Sequence, residues 1–348
     1  MKSISFIVIG YGAIAEKHIH SINLNAKSVL VGISDIDESK LIDAKNKHKI
    51  ETSIDYLDLI TSINPDVAVI CTPSKSHSEI ALNLAGKVRF LIIEKPIALT
   101  IKEAKNILSH CKKFGTSVSV VQQNRYNKPM QFLKKLIENG ELGELFSGSV
   151  VMRWKRDQAY YDKAKWRGTW SSDGGALSNQ GVHFLDALLW FLGKTSIVSA
   201  LSKNAILDIE AEDTLVGIIK FQSGSLGTIE FTTATRPSDI EGSITILGTR
   251  GSCEIGGFAM NKINFLKTES EINIQHDAEE FNNPDVFAYS HSLYYDAIIR
   301  SIEENNPLPS SGEEALETLK TIHAIYSSCD LEKNVSSKDL LESKLGKG

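Results

Sequence analysis

Asn179, His183, Asp186 and Trp190 recur at the spacing of one narrow helix face, taking about 100° per residue. Phe184, Leu185, Leu188, Phe191 and Leu192 fall on the other face. Such a helix anchors itself through Leu and Phe and presents amide, imidazole, carboxylate and indole together. A histidine with polar partners in a covered cleft is a candidate proton carrier, because its unperturbed pKa lies near operating pH. A polar face that simply meets water has the same pattern, but Trp190 on that face argues for partial cover. Gly174-Gly175 give the run a flexible entry.

A second set of chemical residues follows the apolar run Ile4–Ile9. Gly10-Tyr11-Gly12-Ala13-Ile14-Ala15 closes that run and opens a helical pattern reaching about Leu24. Gly10 permits a tight turn, Gly12 lets a pyrophosphate approach the backbone, and Ala15 allows close helix–sheet packing. The helix N-terminus favours phosphate charge. A strand over 28–33 then ends at Ser34-Asp35, with Asp35 23 residues after Gly12. A carboxylate there accepts hydrogen bonds from ribose hydroxyls and repels a 2′-phosphate, which favours NAD over NADP. Asp35 as a cap before Asp37-Glu38 does not account for strand, loop, helix, strand and acid in that order.

Two more loops end apolar strands. The strand over 66–70 leads to Cys71-Thr72-Pro73-Ser74, with Ser76 expected to cap a helix over 77–85. His77 is read as a cofactor-side residue, with a first-turn surface position as the alternative. The strand over 90–93 ends at Glu94-Lys95-Pro96. Loops at the carboxyl ends of parallel strands line the ligand crevice. Lys95 there can orient a substrate hydroxyl and stabilise developing alkoxide charge; a surface lysine is the alternative.

The elements that must position these residues fit a chain of 348 residues, for which two domains are the prior. Hydrophobic content of 42% supports sizeable cores. The net charge of −5 gives no general reason to bind nucleic acid or an anionic membrane, although local basic residues can hold an anionic metabolite. Cys71, Cys111, Cys253 and Cys329 are far apart and form no CxxC, so they read as reduced thiols. The histidines include no HExxH, and no metal is expected. The N-terminal apolar run is too short for a signal peptide and no stretch reaches membrane length, so a cytoplasmic protein is expected.

Alternating strands and helices, including helices over 39–48, 56–63 and 101–111 and a strand over 117–122, predict an α/β Rossmann domain over 1–123. From 124 to 333 the pattern changes. A helix over 130–139 leads to strands near 145–152, 196–203, 214–221, 225–232, 243–247 and 252–255, joined by turns such as Ser223-Gly224. This is hairpin chemistry, giving an α+β domain with a mainly antiparallel open sheet for substrate and oligomer contacts. Helices over 285–304 and 312–330 follow, then a polar, loosely held tail over 334–348 in which Leu340-Leu341 forms one helical turn.

Gly10-Tyr11-Gly12-Ala13-Ile14-Ala15, Thr72-Pro73 with His77, Glu94-Lys95-Pro96, and Gly174-Gly175 through Gly181-Val182-His183 to Asp186 resemble the glucose–fructose oxidoreductase and inositol dehydrogenase (Gfo/Idh/MocA) family. The resemblance covers essentially the whole chain. It implies an active-site lysine at Lys95 and an acid/base histidine at His183. It also implies a cofactor side made of Gly10 to Ile14, including Tyr11 and Ala13, with Asp35. Thr72, Pro73, Ser74, His77, Glu94, Lys95 and Gln123 join that side. Trp166-Arg167 resembles a family loop near the nicotinamide, with a hydrophobic lid as the alternative. Many members carry Asp four residues before the histidine; this chain has Asn179, which cannot take a proton and resembles the sugar-nucleotide 3-dehydrogenase branch.

The expected reaction passes hydride between a secondary alcohol of a sugar and NAD. Lys95, Arg125, Tyr161, Asn179 and His183 are the expected substrate contacts; Arg125 suits a phosphate or carboxylate through its planar donors. A UDP-N-acetylhexosamine or its uronate, oxidised at ring position 3 for surface-polysaccharide synthesis, is the expected substrate. A free inositol or hexose dehydrogenase, an NAD-dependent glycosidase, a non-catalytic NAD(H) sensor and a structural scaffold are the alternatives. A homo-oligomer, dimer or tetramer, is expected.

Overall fold

Buried apolar runs separated by amphipathic helices build a parallel sheet at the start of the chain. The computed structural model describes residues 3–269, 286–339 and 341–347. The chain packs as two compact units, Met1–Gln123 with Phe287–Leu316, and Asn124–Val286 with Glu317–Gly348.

The first unit runs β1 (Ile4–Ile9), α1 (Ala15–Leu24), β2 (Ser28–Ser34), α2 (Glu38–His48), β3 (Glu51–Ser53), α3 (Tyr56–Ile63), β4 (Val67–Ile70), α4 (His77–Leu84), β5 (Phe90–Ile93), α5 (Ile101–Phe114) and β6 (Ser117–Val120). The sheet order is β3-β2-β1-β4-β5-β6, all parallel. The order reverses beside β1, so the turns after β1 and β4 flank the switch point where such sheets hold ligands. All four residues of β4 are fully buried, as expected of a strand covered on both faces. Thr100 and Glu103 form a reciprocal capping box on α5. The expected Ser76 cap is corrected. Ser76 ends a 3₁₀ turn, and its hydroxyl donates to Thr72 Oγ1 at 2.7 Å and Pro73 O at 2.8 Å.

The second unit holds α6 (Lys128–Glu138), β7 (Leu145–Arg153), α7 (Gln158–Asp162), α8 (Val182–Leu192), β8 (Thr195–Lys203), β9 (Thr214–Phe221), β10 (Leu226–Thr232), β11 (Glu241–Gly248), β12 (Gly251–Gly256) and β13 (Lys262–Thr268). Their sheet is mainly antiparallel with one parallel pair, β7–β10. On one face, register aligns Leu201 with Val216, Ser199 with Ile218 with Thr228, and Lys220 with both Ile197 and Leu226. Ile197, Leu201, Val216, Ile218 and Leu226 are exposed there.

The single second domain expected over 124–333 is corrected by α9 (Val286–Glu303), most of which packs in the first unit. Its Tyr294 hydroxyl meets Ser119 Oγ at 2.7 Å and its Tyr295 hydroxyl meets His18 Nδ1 at 2.8 Å, both tyrosines being fully buried. From Glu317 onward, α10 (Gly312–Leu331) belongs to the second unit. The tail is also corrected. A last strand, β14 (Val335–Ser336), pairs with β8, and Leu345 is fully buried. The sequence expectations at Asp285 and Leu340 lie outside the described residues. Among the described residues no helix is long and apolar enough to cross a membrane. All four cysteines are free thiols.

Candidate active site

The first unit's chemistry sits at the carboxyl ends of its strands. Gly10 has φ 93°, and a Cβ there would meet the Cys71 carbonyl carbon at 2.9 Å, so the fold itself requires glycine. Gly12 is different: a Cβ there would meet nothing within 4 Å. Nothing inside the fold demands that glycine, and its open side leaves room for a group to approach the turn from outside. α1 starts just beyond it without a side-chain cap. A bare helix N-terminus beside an open glycine fits a pyrophosphate. Asp35 braces the turn. Its Oδ2 accepts the Tyr11 N–H at 2.7 Å and its Oδ1 the Asp37 N–H at 2.9 Å, leaving acceptor capacity for ribose hydroxyls. The Tyr11 phenol is engaged elsewhere, with Glu16 and with His48 at 3.2 Å.

His77 is not a first-turn surface residue. It is 1% exposed, with Nδ1 2.9 Å from the Pro96 carbonyl and Nε2 2.9 Å from the Thr72 carbonyl. Burial pushes its pKa down while the two carbonyls partly offset this. The ring thus ties the turn after β4, carrying Thr72, exposed Pro73 and Ser74, to the turn after β5, carrying Lys95. Lys95 is half-buried, and its N–H donates to Glu94 Oε2 at 3.1 Å. Gln123 is buried at the first unit's end.

Behind Lys95 lies a group that sequence spacing did not reveal. Glu94 Oε1 accepts from His18 Nε2 at 2.9 Å, and His291 stands beside them. Ligand atoms of His18, Glu94 and His291 lie within 4.8 Å of one another, a donor set that suits a divalent metal. The 2.9 Å His18–Glu94 contact has the geometry of a direct hydrogen bond. Burial pushes the Glu94 carboxyl up, but the His18 hydrogen bond and the charges of His18, His291 and Lys95 outweigh it and hold the pKa at about 2.

In the second unit, the stretch that carries His183 begins with a wide turn. Residues Leu177–Gly181 are π-helical and run directly into α8. The leading N–H groups are capped from a distance. Ala176 N–H donates to the Glu212 carbonyl at 2.8 Å, Leu177 N–H to Glu212 Oε1 at 2.9 Å, and Ser178 N–H to the Tyr326 hydroxyl oxygen at 3.2 Å. A Cβ on Gly175 would stand 2.0 Å from the Glu212 carbonyl oxygen, so this close approach needs glycine. Burial pushes the Glu212 carboxyl up to about 8, against the pull of the Leu177 and Tyr326 hydrogen bonds. Its Oε2 is buried without a partner.

The expected polar face of the helix divides. His183 is half-buried near the start of α8. Asn179 is half-buried, donating to Asp173 and accepting from Gln180 Nε2 at 2.6 Å. Asp186, expected beside them, is 1% exposed and belongs to the core. It takes Arg125 Nε at 2.7 Å, Arg125 Nη2 at 2.8 Å and the Thr318 hydroxyl at 3.0 Å. Arg125, expected as a substrate contact, is 6% exposed with its fork engaged by Asp186. Trp190 is covered by Arg125 and Lys134, 5.6 and 5.2 Å from its ring centroid. Tyr161, expected as a substrate contact, is also buried. It is 6% exposed, its hydroxyl lies 3.0 Å from Thr233 Oγ1, and burial pushes its pKa up to about 12. Trp166 and Arg167 are half-buried, with Arg167 4.0 Å above the Tyr160 ring.

A six-stranded parallel sheet, a glycine turn open at its second glycine, and an acid at the end of β2 define a dinucleotide-binding oxidoreductase. Residues 4–122 match the model described as "Oxidoreductase family, NAD-binding Rossmann fold", and residues 134–336 match "Oxidoreductase family, C-terminal alpha/beta domain". The chain belongs to this Gfo/Idh/MocA family of NAD-dependent oxidoreductases. It is similar to the WlbA dehydrogenase from Bordetella pertussis, solved in complex with NADH and UDP-GlcNAcA. That likeness is 34% identity over 96% of this chain and 98% of that one, with a TM-score of 0.91. The WlbA dehydrogenase from Chromobacterium violaceum, also with NADH and UDP-GlcNAcA, is 31% identical over 97% of this chain and 96% of that one, with a TM-score of 0.90. Myo-inositol 2-dehydrogenase of Thermotoga maritima is 26% identical over 64% of this chain and 66% of its own length.

Proposed function

We propose that this enzyme oxidises a UDP-N-acetylhexosamine uronate, UDP-GlcNAcA in the first instance, at ring position 3, in surface-polysaccharide synthesis. The observation that carries the reading is the nearly full-length likeness to two dehydrogenases solved with NADH and UDP-GlcNAcA. Asn179, four residues before His183, supports the same branch. Bound nicotinamide supplies the hydride acceptor. His183 takes the hydroxyl proton, directly or through the hydrogen-bond network of substrate and Lys95. Lys95 orients the substrate oxygen and steadies its charge. In reverse, the same groups exchange roles.

The test is NADH formation on UDP-GlcNAcA, UDP-N-acetylglucosamine, free inositols and free hexoses. Turnover of the nucleotide sugars alone is expected. Turnover of free polyols alone would replace the substrate and keep the hydride chemistry. Lys95→Ala and His183→Ala are each expected to lower kcat by about 10²–10⁴ while NADH still binds in fluorescence titration. Near-normal turnover in either variant removes that residue from the mechanism. The exposed apolar face shared by Ile197, Leu201, Val216, Ile218 and Leu226 supports a homo-oligomer, which sedimentation velocity checks.

A further inference from the structure

The chain carries a net charge of −5, yet residues 153–168 hold six Arg and Lys side chains against only Asp157 and Asp162. The cations of this segment are not equivalent. Arg153 is neutralised, with Nε and Nη2 each 2.6 Å from a Glu230 oxygen and Nη1 2.8 Å from Glu241. Arg156 is paired only at long range, and Arg167 with no carboxylate among the described residues. Both are half-buried and stand over the ring of Tyr160, their guanidinium carbons 5.4 and 4.0 Å from its centroid. Trp154 and Trp166 flank them at 5.3 and 5.2 Å. Arg156 donates to its neighbour's carbonyl, Lys155 O, at 2.7 Å. Its nearest carboxylate, Asp239, is 3.8 Å away, and that carboxylate also accepts the Lys155 N–H at 2.5 Å. Arg167 reaches only the Tyr160 carbonyl, at 3.5 Å, and its Nε is buried without a hydrogen-bond partner. Among the described residues no carboxylate pairs with it.

Two guanidiniums that share one ring lie within roughly one Debye length of each other, ~10 Å at 0.1 M salt, and repel. Stacking on Tyr160 holds each planar fork in place while leaving N–H donors unused. A site of two fixed, under-neutralised forks is complementary to an oxyanion. Its position relates it to the chemistry of this unit. The Tyr160 hydroxyl accepts from Gln180 Nε2 at 3.2 Å, and Gln180 also donates to Asn179 at 2.6 Å. Gln180 precedes His183 by three residues, roughly 5 Å of helix rise.

We propose that Arg156 and Arg167, set around Tyr160, form an oxyanion receptor that holds the carboxylate or the diphosphate of an acidic sugar substrate. The proposal deepens the nucleotide-sugar reading and rests on it. It assigns to Arg156 and Arg167 the anion role expected of Arg125. It also moves Arg167 from the cofactor to the substrate.

The experiment combines calorimetric titration with steady-state kinetics on wild type, Arg156→Met, Arg167→Met and Arg167→Lys. Methionine keeps an apolar stem against Tyr160, and lysine keeps the charge without the fork. The probes are UDP, inorganic pyrophosphate and glucuronate, each with NADH present, and thermal melting checks the fold. Each methionine variant is expected to bind at least one probe about 10- to 100-fold more weakly, the range for losing one charge-assisted hydrogen bond. KM for UDP-GlcNAcA should rise by the same factor, kcat should change less than about threefold, and the NADH Kd should stay constant. Arg167→Lys is expected to fall between. Loss of pyrophosphate and UDP alone assigns the receptor to the diphosphate; loss of glucuronate alone assigns it to the uronate. Unchanged binding of every probe in both methionine variants overturns the proposal. So does a weakened NADH Kd that matches the loss of sugar binding, or a wild type that binds none of the probes at millimolar concentration. If wild type oxidises no nucleotide sugar but the variants still lose anion binding, the function reading fails and the receptor stands. If UDP-GlcNAcA is oxidised with unchanged KM in both variants, the receptor fails and the function reading stands.

Discussion

Glu94 in the first unit and Glu212 in the second are both buried carboxyl groups, yet their environments push them to opposite charge states. Glu94 has His18 at 2.9 Å, and its pKa is held at about 2 despite burial. Glu212 has a backbone N–H, a tyrosine hydroxyl and one unpartnered oxygen, and burial pushes it to about 8. Desolvation acts on both; a nearby cation acts on only one. Burial alone therefore does not fix ionisation. The first unit keeps a charged carboxylate next to Lys95, whereas the second keeps a neutral acid at the start of the His183 segment.

The comparison breaks most sharply at His18. His18→Leu strands the Glu94 carboxylate, and a loss of about 3–5 kcal/mol in denaturant unfolding is expected. Adding Glu94→Gln should recover much of it; no recovery would mean that His18 acts through packing and not through charge. Acid sharpens the same contrast. The depressed Glu94 pKa contributes stability above the unfolded value of 4.5 that is lost as pH falls toward about 2.

Glu212 has the opposite sign. The folded chain keeps its proton up to about pH 8, whereas an unfolded glutamic acid loses it near 4.5. The folded state binds the extra proton across that window, so this contribution to stability falls as pH rises through it. Glu212→Gln, which retains an acceptor for Leu177 and Tyr326, should match wild type near pH 4, below both pKa values. At pH 9 it should be more stable by about 1–3 kcal/mol. Equal melting curves for the two proteins at pH 9 would mean that Glu212 ionises freely. The smallest effect is expected at Thr318→Val, which removes one hydrogen bond to Asp186 while Arg125 keeps two. A loss of about 1 kcal/mol in urea unfolding is expected, and a loss as large as that of His18→Leu would show that Arg125 does not suffice.

What was legible in the sequence was local. Ile4–Ile9 and Phe90–Ile93 announced themselves as buried strands, and Gly10, Gly12 and Lys95 follow at once from where those strands end. Of the edge strands only β6 was legible; β3, β13 and β14 were not. Glu51-Thr52-Ser53 and Val335-Ser336 are too short to show a period, and the Lys262–Thr268 strand follows a turn without a strong hairpin signal. Pairings across long separations were also hidden. Nothing near Arg125 points to Asp186, 61 residues on, and nothing near His18 points to Tyr295, 277 residues on. The helical face was legible in period but not in use, because burial assigns Asp186 to the core while Asn179 stays at the half-buried side.

The π-helical turn at Leu177–Gly181 also has a meaning for chain length. A π turn closes five residues apart instead of four, so it accommodates one residue more than a straight α-helix across the same span. That surplus residue can be removed without displacing either flank. A chain one residue shorter at Asn179 or Gln180 would still seat Leu185 and Leu188 in the core, because the helix beyond the turn keeps its own phase. Insertions and deletions at this turn would thus alter the side chains offered ahead of His183 while sparing the fold, making it a hinge of sequence length where related enzymes can diverge in what they accept.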